Sequence, residues 1–370
     1  MGLAAAGVIS FAAVAQAEEK PTHQVLTAVS STALSGYIST SVAWNPGKQV
    51  PTTLHSWGKK EGMNLDVIDI KLSSTLAEGE WASGYNVELW LGPDAADFGN
   101  VIGGTNGVIA IKNANVTLNI PVGNGIQAKL GIFDAIVGYE SANSIENPNY
   151  SRSLAYSIEP TSHQGVLLSY KLLDNVSVNA GVANNYNAVL NNSAAASSGF
   201  TYIASASITA PDSLGFLKGA VLTAGLVDGK LSSAPTGVLE EFNVSTVPDL
   251  TLIYVGATLP TGIDGVNLGV AWDRVNAGGD HLGDALAGYV SIKLSDKATL
   301  NTRVEYVASA VSTVDFENLT TTLTLDYKLW ANVVSRLEYR WQRDIAGFDA
   351  TESGARENSH QLLAQIAYKF

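Results

Sequence analysis

Cysteine is absent from the 370 residues. That excludes a disulfide framework, a thiolate metal site and a cysteine nucleophile. Charge is scarce too: Asp, Glu, Lys and Arg make up 15% of the chain, against about a quarter in an ordinary soluble domain. Basic residues are the scarcer kind, 21 against 34 acids, for a formal net charge of −13. Without a surplus of Lys and Arg the chain is poorly suited to neutralising phosphates, which argues against a general nucleic-acid binder. No internal stretch approaches the roughly 20 apolar residues that a membrane-spanning helix needs. Yet hydrophobic residues form 46% of the sequence and mean hydropathy is +0.13, too apolar for disorder. Length alone suggests roughly two soluble domains, but the pattern along the chain points elsewhere.

The one continuous apolar run lies at the start, from Leu3 to Ala15, and ends in Ala15, Gln16 and Ala17, with Glu18, Glu19 and Lys20 directly after it. A short apolar run closed by a small-x-small site is the form of a secretory signal peptide. Only the basic residue that usually precedes the run is missing. Residues 1–17 are therefore expected to be a signal peptide, and 18–35 a periplasmic segment.

From Gly36 onward the residues alternate apolar and polar over runs of about ten, the period of a strand. In 319–329 one face carries Leu319, Thr321, Leu323, Leu325, Tyr327 and Leu329, and the other Thr320, Thr322, Thr324, Asp326 and Lys328. In 333–342 Val333, Ser335, Leu337, Tyr339 and Trp341 oppose Val334, Arg336, Glu338, Arg340 and Gln342. A helix would scatter those charges around its circumference. Marking every such run gives about sixteen strands, at 36–44, 62–74, 80–91, 106–120, 125–134, 163–171, 175–184, 199–210, 218–227, 249–260, 264–274, 283–295, 298–309, 317–329, 332–343 and 359–370.

The gaps between the runs are informative. Short ones (75–79, 121–124, 172–174, 211–217, 261–263, 296–297, 330–331) strictly interleave with mostly longer ones (45–61, 92–105, 135–162, 186–198, 228–248, 275–282, 310–316, 344–358). A soluble sandwich has no reason to sort its connections by parity. A transmembrane antiparallel barrel does, with tight periplasmic turns at one rim and long external loops at the other. Ten to twelve residues, tilted by about 40°, also match the height of its apolar band. The fold expected is all-β: a transmembrane antiparallel barrel of about sixteen strands over residues 36–370.

The last ten residues, Gln361 to Phe370, place Leu362, Ala364, Ile366, Tyr368 and Phe370 on one face, with Gln361, Gln365 and Lys369 on the other. They resemble the assembly signal that ends outer-membrane barrels, with Leu362, Ile366, Tyr368 and Phe370 as its apolar positions.

Several stretches then resemble one family, the OmpL-like β-barrel porins of Gram-negative-type bacteria. They are Gly36 to Ser41, Tyr85 to Asp94, Lys129 to Asp134, Gly138 to Glu140, Tyr150 to Ser153, Glu159 with Pro160, Gly165, Tyr170 and Leu337 to Arg340. The likeness runs over nearly the whole mature chain except 188–199, an Asn/Ser/Ala-rich stretch. It implies an outer-membrane location and a passive pore for small hydrophilic solutes and ions. The implied partners are outer-membrane lipid and lipopolysaccharide, the barrel-assembly machinery and the solutes themselves, but no nucleic acid and no cofactor; a homotrimer stays open.

With the C-terminal strand setting the faces, Arg303, Glu305, Asp326, Lys328, Arg336, Glu338 and Arg340 point inward, joined by Glu88, Lys129, Asp273 and Lys293 from earlier strands. Facing lipid, each charge would cost about 2 to 4 kcal/mol near the midplane. Facing a wet lumen they would line the pore and bias ion passage. The alternative is a set of internal salt bridges closing a plugged barrel whose external loops do the work. The longest gap, 135–162, is third in the long series, and the chain resembles sixteen-stranded porins in that position, where this loop folds in and narrows the channel. It carries Glu140, Glu146, Arg152 and Glu159, whose acids would face Arg336 and Arg340 across the lumen; folding outward over the rim is the other option. Tyr37, Trp44, Trp90, Tyr139, Trp272, Trp330 and Trp341 suit interfacial girdles.

No catalytic constellation emerges. The five histidines stand far apart, and Ser162 beside His163 lacks a visible carboxylate partner. Gly103–Gly104 and Gly278–Gly279 form no phosphate-binding fingerprint. Asp94 and Asp97 could hold a calcium ion or be a plain polar loop.

Overall fold

The computed structural model describes residues 32–46, 59–74, 76, 79–98, 100–102, 108–191, 199–231, 249–310, 316–345 and 358–370. The expected signal peptide, 1–17, most of the segment 18–35 and much of 188–199 lie outside the described residues.

Sixteen strands appear: β1 Thr32–Trp44, β2 Gly62–Ser74, β3 Ser83–Leu91, β4 Ile109–Ile120, β5 Ile126–Asp134, β6 Ser162–Leu173, β7 Val176–Ala183 and β8 Thr201–Thr209. They continue with β9 Val221–Lys230, β10 Asp249–Pro260, β11 Val266–Ala277, β12 Asp280–Lys293, β13 Ala298–Ser309, β14 Glu317–Tyr327, β15 Val333–Asp344 and β16 Asn358–Lys369. A short helix, α1 (Pro93–Phe98), follows β3. Each strand pairs antiparallel with its sequence neighbours, and β16 returns to β1, so the sheet closes on itself. Closure leaves no row of unpaired backbone groups at an edge. β1 begins at Thr32, four residues ahead of the expected start at Gly36.

The seam runs from Trp44 opposite Leu362 to Tyr37 opposite Lys369. Beyond it Gly36 and Phe370 exchange backbone hydrogen bonds of 3.1 and 3.0 Å. A Cβ on Gly36 would stand 2.1 Å from the Asp69 carbonyl oxygen and 2.9 Å from the Phe370 ring, so the terminal aromatic fits only because position 36 has no side chain. Gly36→Ala should therefore destabilise closure by about 1 to 3 kcal/mol, as overpacking does elsewhere. The check is the temperature at which the unboiled protein loses its compact gel mobility. An unchanged transition would show that the seam does not depend on that space.

Alternation divides each strand into two faces. On β14, Asn318, Thr320, Thr322 and Thr324 are buried while Leu323 and Leu325 are exposed on the outside. Two bulges break the pattern in a consequential way. Ser39 lies opposite Val67 and Thr40 opposite Leu65, which leaves Asp66 as an extra residue. Glu88 lies opposite Asn113 and Leu89 opposite Ile111, which leaves Lys112 extra. A bulge re-aims the side chain it adds, and both of these ionisable residues are buried.

The interior itself is divided. Along β13–β16 and β1–β5 its side chains are mainly polar or charged. On β6–β12, towards the long connections, it is apolar: Leu167, Ile203, Val227, Leu250, Leu252, Tyr254 and Val275 are all buried in one cluster. Alternation alone does not predict this, because strands with two apolar faces show little alternation.

Candidate functional site

The segment 135–161, between β5 and β6, runs inside the barrel. It has little regular structure beyond two single turns, Ser144–Glu146 and Ala155–Ser157. Its ends meet where the Ala135 N–H donates to the Thr161 carbonyl at 3.1 Å. An irregular segment cannot satisfy its own backbone, and buried N–H and C=O groups must find partners. Here the barrel wall supplies them.

Glu338 accepts the consecutive N–H groups of Tyr150 (2.6 Å) and Ser151 (3.0 Å). Glu305 accepts the Leu154 N–H at 2.6 Å. Arginines serve the carbonyls: Arg336 donates to Ser144 and Asn147 at 2.7 Å each, Arg303 to Ser151 at 2.7 Å and Arg152 at 3.0 Å, and Arg340 to Arg152 at 3.0 Å. Arg303 also pairs with Glu140 of the loop at 2.8 Å and with Glu305 at 3.0 Å. Glu140 closes the circuit by accepting the Ser153 N–H at 2.6 Å. Asn149 donates to Thr324 and Gln365 to Ser144. Charges this deeply buried persist only when paired and hydrogen-bonded, and the loop completes that set.

The other flank of the loop is apolar. Val137, Tyr139, Leu154 and Ile158 join the cluster on β6–β12, and Tyr139 stacks on Tyr289 with ring centroids 4.2 Å apart. The apolar interior of those strands is thus the seat of the loop. Near its return to β6, Glu159 is buried against Asp273 of β11. Burial first, then the neighbouring Asp273 and Glu140 charges, raise the Glu159 carboxyl well above the usual carboxylate range.

A second ionic group stands on β2–β5. Lys112 lies 3.2 Å from Glu88 and 2.8 Å from Asp134, and Asn113 donates to both acids at 3.1 Å. Asp66 accepts the hydroxyls of Ser39 (2.7 Å) and Ser41 (2.6 Å) and lies 3.3 Å from Lys59. Lys59 in turn pairs with Asp94 of α1. Asp66 and Lys112 were not among the residues singled out from sequence, because a bulge shifts parity without any compositional mark; Lys59 lies in the connection before β2, outside any alternating run.

The expected wall residues fall into three groups. Glu88, Asp273, Arg303, Glu305, Arg336, Glu338 and Arg340 face inward but are buried; contrary to expectation they are covered, most of them by the loop, rather than bare to the lumen. Lys129 and Asp326 also face inward and stay partly exposed. Lys293 and Lys328 lie at the short-turn rim: Lys293, the last residue of β12, is exposed and pairs with Asp296 at 2.8 Å, and Lys328 is exposed just past β14. Among the loop residues Glu140, Arg152 and Glu159 are buried and Glu146 is exposed. The expected confrontation of loop acids with Arg336 and Arg340 does not form. Glu140 takes Arg303 instead, and the other two arginines bind loop carbonyls, since a bent backbone presents more acceptors than the loop has acids.

Of the aromatic girdle, Tyr37, Trp90 and Tyr139 are buried inside, while Trp44 and Trp330 are exposed. Leu362, Ile366 and Tyr368 alternate outward on β16, with Phe370 next to the seam. His163 packs on Phe133 with centroids 6.2 Å apart, and no carboxylate pairs with it among the described residues. Among those residues no group of three or more His, Asp or Glu is placed to hold a metal.

Residues 31–370 match a family model described as "Putative beta-barrel porin-2, OmpL-like". Among solved structures the chain is similar to Salmonella typhi OmpF in complex with daunomycin, at 14% identity and TM-score 0.60, covering 92% of this chain and 97% of that one. It is also similar to an anion-selective porin from Comamonas acidovorans, at 14% identity and TM-score 0.59, covering 92% and 99%. A third likeness is to OmpT of Vibrio cholerae in trimer form, at 15% identity and TM-score 0.58, covering 92% and 99%. At these identities the likeness concerns the fold. The comparison with curated proteins found no match.

Proposed function

Because the chain belongs to the OmpL-like β-barrel porin family, we propose that it is a passive diffusion channel for small hydrophilic solutes and ions, not an enzyme. Family and structural neighbours alike point to the outer membrane of Gram-negative bacteria. The observation that carries the proposal is the loop at 135–161, bonded to the wall from inside a closed sixteen-stranded barrel. A barrel of that size leaves an aqueous interior, and a segment fixed across it sets the aperture. Partly exposed Lys71, Lys129 and Asp326, with exposed Glu146, supply the polar surface that solutes would meet.

Insertion in lipid fits the exposed apolar residues at the short-turn rim, including Trp81 (75%), Phe216 (73%) and Trp330 (62%), at the height where amphipathic aromatics settle. Lipid and lipopolysaccharide would surround the barrel, the β16 face would present the assembly signal, and a trimer like that of the Vibrio neighbour is part of the proposal.

One observation favours a second reading, a non-conducting barrel whose external loops are functional. The loop is buried on both flanks: Tyr139 and Tyr150 are each 2% exposed and Leu154 is 0%. Purified protein in a planar bilayer decides between the two. Stepwise conductance is expected. A silent bilayer, with a heat-modifiable and therefore folded barrel, would sink the pore reading.

A further inference from the structure

Two buried carboxyls in the barrel have no cation paired with them among the described residues. Asp273, on the inward face of β11, is 0% exposed, and neither of its oxygens has an N–H or hydroxyl donor among the described residues. Its neighbour is Glu159, 7% exposed, in side-chain hydrogen-bond contact with it. Gly138 lies against the same carboxyl: at its φ of +103°, a Cβ would stand 2.4 Å from Glu159 Oε2. Glu159 also accepts the backbone N–H of Tyr139, so it bridges the two limbs of the loop and ties them to the wall.

The groups around the pair offer no countercharge. Tyr139 on the loop, Tyr186 after β7 and Tyr254 on β10 are phenols, which carry no positive charge. Tyr156, Glu140 and Asp134 line a small cleft together with Glu159, but Glu140 is engaged by Arg303 and Asp134 by Lys112. No Lys or Arg forms an ion pair with Glu159 or Asp273 among the described residues. Two carboxylates in contact cannot both be ionised in such surroundings; one proton between them converts repulsion into a hydrogen bond.

We propose that Glu159 and Asp273 are positioning residues for the pore: the proton they share holds the return limb of the loop to β11, and its loss releases that limb. The inference rests on the loop's place in the proposed channel but concerns its docking, which can be measured without conduction.

The sign follows from proton counting. The docked Glu159 carboxyl is raised by burial, Asp273 and Glu140, so the docked state binds more protons than the released one. Docking is strongest below the ordinary glutamate value of about 4.3. It weakens as pH rises from there towards the raised value, by up to about tenfold in the released-to-docked ratio per pH unit.

Hydrogen exchange of the loop amides in detergent micelles, from pH 5 to 9, tests this. Wild type is compared at each pH with Glu159→Gln/Asp273→Asn, which keeps the hydrogen bond and cannot ionise. Gel mobility before boiling confirms that both barrels are folded. The wild-type to double-variant ratio of exchange rates should grow at least tenfold across the range. A constant ratio would overturn the proposal, because the intrinsic pH dependence of exchange cancels in it. Bilayer recordings separate the two claims. Wild-type conductance that rises with pH, beside a flat double variant, supports both; conductance that titrates alike in both proteins overturns the lock. If neither protein conducts while the exchange ratio still grows, the channel fails and the proton lock stands.

Discussion

Replacing residues 136–160 with a short Gly-Ser turn should raise single-channel conductance several-fold. The cut is local, since Ala135 and Thr161 already share a backbone hydrogen bond and a short linker can join them. Removing the segment opens the cross-section that it now occupies, in a barrel wide enough to hold an aqueous channel. It also bares Arg303, Glu305, Arg336, Glu338 and Arg340, so the wall expected from sequence would become a true lumen wall. The excision should shift ion selectivity as well as conductance, because the bared set has three cations and two anions. It should also lower thermal stability, since Leu250, Leu252, Tyr254 and Val275 lose the apolar cover they share with Val137, Tyr139 and Ile158. Conductance that stays at the wild-type level would mean that the external connections, not this loop, set the aperture.

Strand number and the two faces were legible because most strands have one apolar and one polar face, as the sheet between β13 and β16 shows. Thr320, Thr322 and Arg340 sit at alternate positions for the same reason that Leu323 and Leu337 do: each face has a single environment. The loop's entry into the barrel was legible only as one of two options. Its length and serial position suggested a special role, but what seats it is an apolar interior on β6–β12. Leu250, Leu252 and Tyr254 alternate with Thr251, Ile253 and Val255, so nothing in composition says which face is inside. The bulged Asp66 and Lys112 escaped for a similar reason, since an extra residue leaves no trace in a period-two pattern except a local slip. Inward direction was readable for Arg303, Arg336 and Arg340, but their partners were not. Those partners are mostly backbone carbonyls of a bent segment, and no residue type marks a carbonyl.

Arg303→Ala should undock the loop more effectively than any other single substitution in the wall. The guanidinium, 0% exposed, joins two acids and two loop carbonyls. Its removal leaves Glu140 and Glu305 buried beside empty space, and an uncompensated buried charge costs about 3 to 5 kcal/mol. Arg340 lies 3.7 Å from Glu305 and cannot make up the loss for Glu140. Protonation or release of the loop are the two ways out, and release also rehydrates both acids. The variant should therefore show faster proteolysis within 135–161, together with larger and noisier conductance. Pairing Arg303→Ala with Glu140→Gln separates charge from packing: if the cost is the stranded acid, the double variant should recover part of the lost protection. The same Arg303→Ala change in the excised barrel should cost much less, because water then reaches Glu305. Equal losses of stability in the intact and excised backgrounds would mean that Arg303 supports the sheet itself and that the loop merely rests on it.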